Sequence, residues 1–133
     1  MEGALFDTSA WVAYLRKGGP SGIKRVMSAA LEEGAVWTCW VVRTELLVGA
    51  RDMEAFERLS MLLAALPDAE VGPGVWEAAA KLGFDLRRRG TTVPLPDLLV
   101  AAAALAADIE VWHVDEDFER IRAVAPLKTK TLR

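Results

Sequence analysis

Five carboxylates stand out by their surroundings. Asp7 closes the apolar run Ala4-Leu5-Phe6 and is followed by Thr8-Ser9. Glu45 lies within Arg43-Thr44-Glu45-Leu46-Leu47-Val48-Gly49. Asp97 follows Leu95-Pro96 and opens a segment that is otherwise apolar. Asp115 and Asp117 come two residues apart, directly after Ile109 to Val114. Singly, each is an ordinary helix cap or a solvated group, because an acid at a helix N-terminus contributes only about 0.3–1 kcal/mol. Gathered in one cleft, four or five carboxylates repel one another and require a cation. Hard oxygen ligands without His or Cys suit Mg²⁺ or Mn²⁺. The single histidine, His113, and single cysteine, Cys39, exclude a His-paired metal motif, a Cys-rich zinc site and an internal disulfide framework.

The elements that must position these acids follow from periodicity and punctuation. Ala4 to Phe6 reads as a short buried strand, and Asp7-Thr8-Ser9 caps a helix through Trp11, Val12 and Leu15. Ser21 opens a second helix whose apolar residues Ile23, Val26, Met27, Ala30 and Leu31 share one face. Ala35 to Thr38 reads as a strand, Val41 to Ala50 as a helix carrying Glu45, and Met53 to Leu66 as a helix with Phe56, Leu59, Leu62 and Leu63 inward. Glu70-Val71 is a candidate for a very short strand. A long helix through Val75, Ala79, Leu82 and Leu86 ends at Arg87-Arg88-Arg89-Gly90. Pro96 suits the first turn of an Ala-rich helix reaching Ala107. Ile109 to Val114 is a strand, a short helix follows, and Leu127 to Leu132 alternates like an edge strand. This rhythm predicts an α/β fold with a parallel sheet, in which functional groups sit beyond the carboxyl ends of the strands. Asp7 and Asp115 occupy such positions.

With 133 residues, 53% of them apolar, the chain suits one domain spanning 1–133 with a core that needs neither disulfide nor structural metal. The net charge of −3 excludes a strongly basic nucleic-acid coat, and the apolar content excludes a disordered tail. With the five acids set aside, the sixteen Lys and Arg outnumber the other fourteen acids. The N-terminus lacks the basic start of a signal peptide, and no stretch approaches the ~20 uninterrupted apolar residues of a membrane span. The expectation is a soluble, cytoplasmic protein. No Gly-rich phosphate loop is present. Phe6 before Asp7 argues against a receiver domain, and Ser9 two residues after it against a haloacid dehalogenase-type phosphatase.

Four motifs in order carry a resemblance: Phe6-Asp7-Thr8-Ser9, Thr44-Glu45-Leu46-Leu47-Val48-Gly49, Pro96-Asp97-Leu98-Leu99-Val100-Ala101-Ala102, and His113-Val114-Asp115-Glu116-Asp117-Phe118-Glu119-Arg120-Ile121. Across the whole chain this resembles the PIN domain, and the length is similar to the VapC toxins of toxin–antitoxin pairs. The resemblance implies a Rossmann-like, three-layer α/β/α fold whose mostly parallel central sheet has about five strands. It implies an endoribonuclease that depends on one or two Mg²⁺ or Mn²⁺ ions and hydrolyses RNA with a metal-activated water, leaving 5′-phosphate and 3′-hydroxyl ends. Asp7, Glu45, Asp97 and Asp115 carry over as the catalytic acids. Asp7, Asp97 and Asp115 hold metal, with Asp117 as an accessory ligand. Ser9 and Thr8 match the supporting hydroxyls. A cognate antitoxin and a homodimer are implied as partners. Glu116 and Trp40 depart from the common pattern: Glu116 adds charge beside the site or points outward, and Trp40 shapes substrate access or packs.

The cations offer phosphate contacts: Arg43, Arg87, Arg88, Arg89, Lys128, Lys130 and Arg133. Helix C-terminal complementation and a solvated edge strand explain most of them equally well. Arg43 reaches either the scissile phosphate or a protein acid. Trp37 and Trp112 read as core, as does Cys39, and His113 reads as structural. Trp11 and Leu15, with Phe56 and Leu59, are candidates to line an apolar groove for an antitoxin helix, with core packing as the rival reading. A non-catalytic RNA- or protein-binding module on the same fold is the alternative function, disfavoured because no acid of the set is missing.

Overall fold

The apolar run Ala4–Phe6 forms β1, buried at every position as an inner parallel strand must be. The computed structural model describes residues 3–133; Met1 and Glu2, part of the N-terminal reading above, lie outside them. In chain order there follow α1 (Thr8–Leu15), α2 (Ser21–Glu32), β2 (Val36–Trp37), α3 (Trp40–Val48), α4 (Met53–Ala64), α5 (Pro73–Arg88), α6 (Leu95–Ala107), β3 (Glu110–His113), α7 (Asp117–Ile121) and β4 (Thr129–Thr131). The strands pair in the order β2-β1-β3-β4, all parallel. Leu5 pairs with Trp37 on one side and Val111 on the other.

From β1 the chain moves to the β2 edge, then returns past β1 to β3, so the strand order reverses between β1 and β3. Right-handed crossovers place the helices of the first connection on the opposite face from those of the later ones, giving three layers. A sheet of this kind binds ligands in the crevice outside the carboxyl ends of the strands at that reversal.

Among the described residues the sheet has four strands, where the resemblance implies about five. Glu70-Val71 forms none; instead one isolated bridge pairs Thr38 with Asp68. Gly72 and Pro73 start α5 at once, and Pro73 has no N–H with which to extend a ladder. The expected inward face of α4 is also narrower than its periodicity implies. Leu63 is buried and Leu59 half-buried, while Phe56 and Leu62 remain exposed, because α4 packs chiefly on α3.

α6 is buried from Leu98 to Ala104, and its alanines let α5 lie close. Gly83 of α5 is part of that fit: a Cβ there would come within 2.9 Å of Leu98 Cδ1, beside Asp97. Trp112 is buried and stacks on Phe6 with ring centroids 5.0 Å apart, whereas Trp37 is only half-buried. Cys39 is buried. No helix among the described residues is long and apolar enough to cross a membrane.

Candidate active site

Asp7 stands one residue past β1, and its amide donates to the Trp112 carbonyl at 3.1 Å, so strand pairing fixes its place. Its carboxylate caps α1, accepting the N–H groups of Ser9 (3.2 Å) and Ala10 (3.1 Å) and the Ser9 hydroxyl (2.8 Å). Ser9 Oγ in turn accepts the N–H of Val114 at 2.9 Å. One hydroxyl thus ties the first acid to the turn that carries Asp115. Burial raises the Asp7 pKa to about 6, although these hydrogen bonds favour the charged form.

Asp97 lies in the first turn of α6, where Pro96 sets the helix start. Asp115 follows β3, and its Oδ1 accepts the Asp117 N–H at 3.0 Å, which draws the last two acids together. One carboxylate oxygen from each of Asp97, Asp115 and Asp117 lies within 4.8 Å of the others. Burial, reinforced by the like charges of Asp115 and Asp117, pushes the Asp97 pKa up to about 8. Arg120 compensates one charge, donating to Asp117 at 2.6 Å. The remaining negative charge on half-buried hard oxygens fits a Mg²⁺ or Mn²⁺ ion.

Three of the expected acids therefore meet, and two stand apart. Asp7 lies outside that 4.8 Å group, with its carboxylate accepting from Ser9 and Ala10. Glu45 is exposed on α3, where the Thr8 hydroxyl donates to its Oε1 at 2.6 Å. The two hydroxyls expected to support the site each hold a different acid. Glu116 is exposed. Arg120 stands three residues after Asp117 on α7, the helical spacing that signals such a pair.

The cations divide by position. The link 89–94 joins the end of α5 to the start of α6, so the exposed Arg87 and Arg88 lie at the Asp97 end of the molecule. Arg88 covers the Phe84 ring at 4.6 Å. Arg43 stacks on the exposed Trp40 ring at 3.8 Å, and its charge also bears on Asp68. Lys130 lies 4.4 Å over Trp112. Lys128 precedes β4 and pairs with Asp108 at 3.1 Å, at the amino end of the strands. That places it away from the acids and takes it out of the phosphate set.

A groove of about 800 Å³ runs between α1, α3 and α4, lined by Val12, Leu15, Leu46, Leu59 and Leu62 and reaching Thr8 and Glu45 at one end. Leu15 and Leu59 lie where the groove reading put them. Trp11 does not: it is fully buried against Phe6, because the α1 face that carries it turns onto the sheet. Phe56 faces a separate hollow with Ser60 and Met61.

The PIN domain family profile matches residues 4–124. The chain is 34% identical over 132 residues to "VapC ribonuclease Mb1587" of Mycobacterium bovis, covering 97% of this chain and 98% of that protein. It is 30% identical to "Ribonuclease VapC18" of Mycobacterium tuberculosis, covering 93% and 90%. Among solved structures, VapBC2 from Rickettsia felis, bound to a DNA fragment from its promoter, matches with a TM-score of 0.80 at 18% identity and 98% coverage of both chains. The order of the motifs, the parallel sheet and the acids at its carboxyl end agree with these likenesses, and the chain belongs to the PIN domain family, among its VapC proteins.

Proposed function

We propose that the protein is a metal-dependent endoribonuclease and the toxin of a VapBC-type pair. The observation that carries this reading is the Asp97, Asp115 and Asp117 cluster, whose oxygens lie within 4.8 Å of one another beside the end of β3 in a chain similar to named VapC ribonucleases. These three residues would hold Mg²⁺ or Mn²⁺. When bound, such an ion would polarise the scissile phosphodiester and favour ionisation of the attacking water. Asp7, buried and held by Ser9, fixes the end of β1 against the Asp115 turn. Glu45, whose Oε1 accepts the Thr8 hydroxyl, is the proposed acceptor of the attacking water's proton. Arg87, Arg88 and Arg43 contribute phosphate contacts around this end of the molecule, and Lys130 contributes from the β4 edge.

The groove between α1, α3 and α4 is the proposed seat of an antitoxin segment. Its apolar walls reach Glu45, so an occupant would also cover that acid. A homodimer completes the proposed assembly.

The test is cleavage of single-stranded RNA by the purified chain with Mn²⁺, followed by mapping of the ends. The expected products carry 5′-phosphate and 3′-hydroxyl ends, and Asp115→Asn reduces the rate at least a hundredfold. Full activity of Asp115→Asn would refute the site. Folded wild type that binds Mn²⁺ weakly and cuts no RNA would instead support a non-catalytic binding module.

A further inference from the structure

His113 is the last residue of β3 and is fully buried, with its ring 5.2 Å from that of Phe118. It is outside the acid set, yet both ring nitrogens are engaged. The backbone N–H of Asp115 donates to Nδ1 at 3.0 Å, and Nε2 lies 2.8 Å from Glu119 Oε2. We propose that His113 is a positioning residue for the metal-binding turn: its Nε2–H tautomer holds the Asp115 backbone through Nδ1 and is itself held by Glu119. This rests on the metal reading above and names how the ligands are kept in place.

The tautomer follows from the partners. An amide N–H can only donate, so Nδ1 must be the unprotonated acceptor. The hydrogen of the neutral ring is then on Nε2, where a carboxylate accepts it. Glu119 is suited to that task. Burial opposes its charge, but hydrogen bonds from Thr129, His113 and Arg122 outweigh this and keep the carboxyl below its ordinary range. Arg122 donates to the other oxygen, Oε1, at 3.1 Å.

The turn itself is two links of the same kind in succession. The His113 ring accepts the N–H two residues on, at Asp115, and Asp115 Oδ1 accepts the N–H two residues further, at Asp117. The first link orients the peptide from which the second projects, so the ring acts on two of the three clustered carboxylates. The β4 edge enters through Thr129 on Glu119 and through the Leu132 N–H, which donates to the His113 carbonyl at 2.8 Å. A ring buried this deeply must have both nitrogens matched, and here the partners are the Asp115 amide and Glu119.

Because His113 is the chain's one histidine, its ring nitrogens can be read without ambiguity by two-bond ¹H–¹⁵N NMR on the metal-free wild type. The expected pattern is a protonated Nε2 and an unprotonated Nδ1. Two variants separate the nitrogens. His113→Asn keeps an acceptor near the Nδ1 position, since an Asn side chain bonds the N–H two residues on. His113→Gln keeps a donor near Nε2 and loses that acceptor. By calorimetry, Mn²⁺ affinity should fall about 10- to 100-fold in His113→Gln and stay within about threefold of wild type in His113→Asn. An Nδ1–H ring, or equal Mn²⁺ affinity in the two variants, would overturn the proposal. If the variants do not fold, the wild-type spectrum still decides it. Absence of Mn²⁺ binding by the wild type would sink the metal reading instead and leave the ring to be judged by its tautomer.

Discussion

Replacing Asp97 by asparagine should stabilise the metal-free protein, and more so as the pH rises. Burial and the neighbouring Asp115 and Asp117 raise the Asp97 pKa to about 8 in the folded chain. An unfolded aspartate titrates near 3.9, so the native state binds this proton more tightly. Stability is then fully present below about pH 4, falls as the pH rises towards 8, and levels off beyond. At roughly 1.4 kcal/mol for each tenfold difference in proton affinity, the upper bound on the loss is about 6 kcal/mol. Solvent reaches this half-buried carboxyl, and screening reduces the figure to about 2 kcal/mol. The asparagine side chain carries no charge to repel its neighbours and forgoes only a helix N-terminal charge interaction worth about 0.3–1 kcal/mol, so relief of repulsion wins. In thermal melts with chelator at pH 9, Asp97→Asn should melt about 3–8 °C above wild type, and near pH 4 the gap should close. Mn²⁺ should then reverse the order, because metal at a hundred times its Kd adds about 2.7 kcal/mol to a chain that binds it and little to one that has lost a ligand. An Asp97→Asn variant less stable than wild type in chelator at pH 9, or a difference independent of pH, would refute the argument.

Ser9→Ala removes a hydroxyl that serves both the buried Asp7 carboxylate and the Val114 N–H, and should cost about 1–3 kcal/mol in urea unfolding, chiefly through the lost bond to Asp7. Arg87→Ala with Arg88→Ala should raise KM for RNA and flatten its salt dependence, whereas Lys128→Ala, at the other end of the strands, should leave both unchanged in steady-state assays. Leu15→Asp or Leu59→Asp should weaken capture of the cognate antitoxin by at least tenfold in a binding titration while leaving RNA cleavage by the free toxin intact.

What could be read along the chain was local. The Asp7 cap, the buried face of α2 and the Pro96 start of α6 depend on residues within one or two turns, and they formed as their spacing required. The parallel sheet followed from the alternation of short apolar runs with helices. Its fifth strand did not, because pairing depends on whether a neighbour's edge stays within reach, and Gly72-Pro73 turned the chain away after one bridge. Residue types also marked the acids and the absence of a His-paired site. They could not show that Asp7 spends its oxygens on a cap, that Trp11 faces the sheet, or that Lys128 meets Asp108. Those outcomes depend on direction and depth, which no local pattern contains. Asp97 shows the difference most clearly. Its identity and helix-start position belong to the sequence, but its raised pKa exists only because the fold buries it beside Asp115 and Asp117. Charge repulsion is a function of distance and dielectric, and tertiary structure alone sets both.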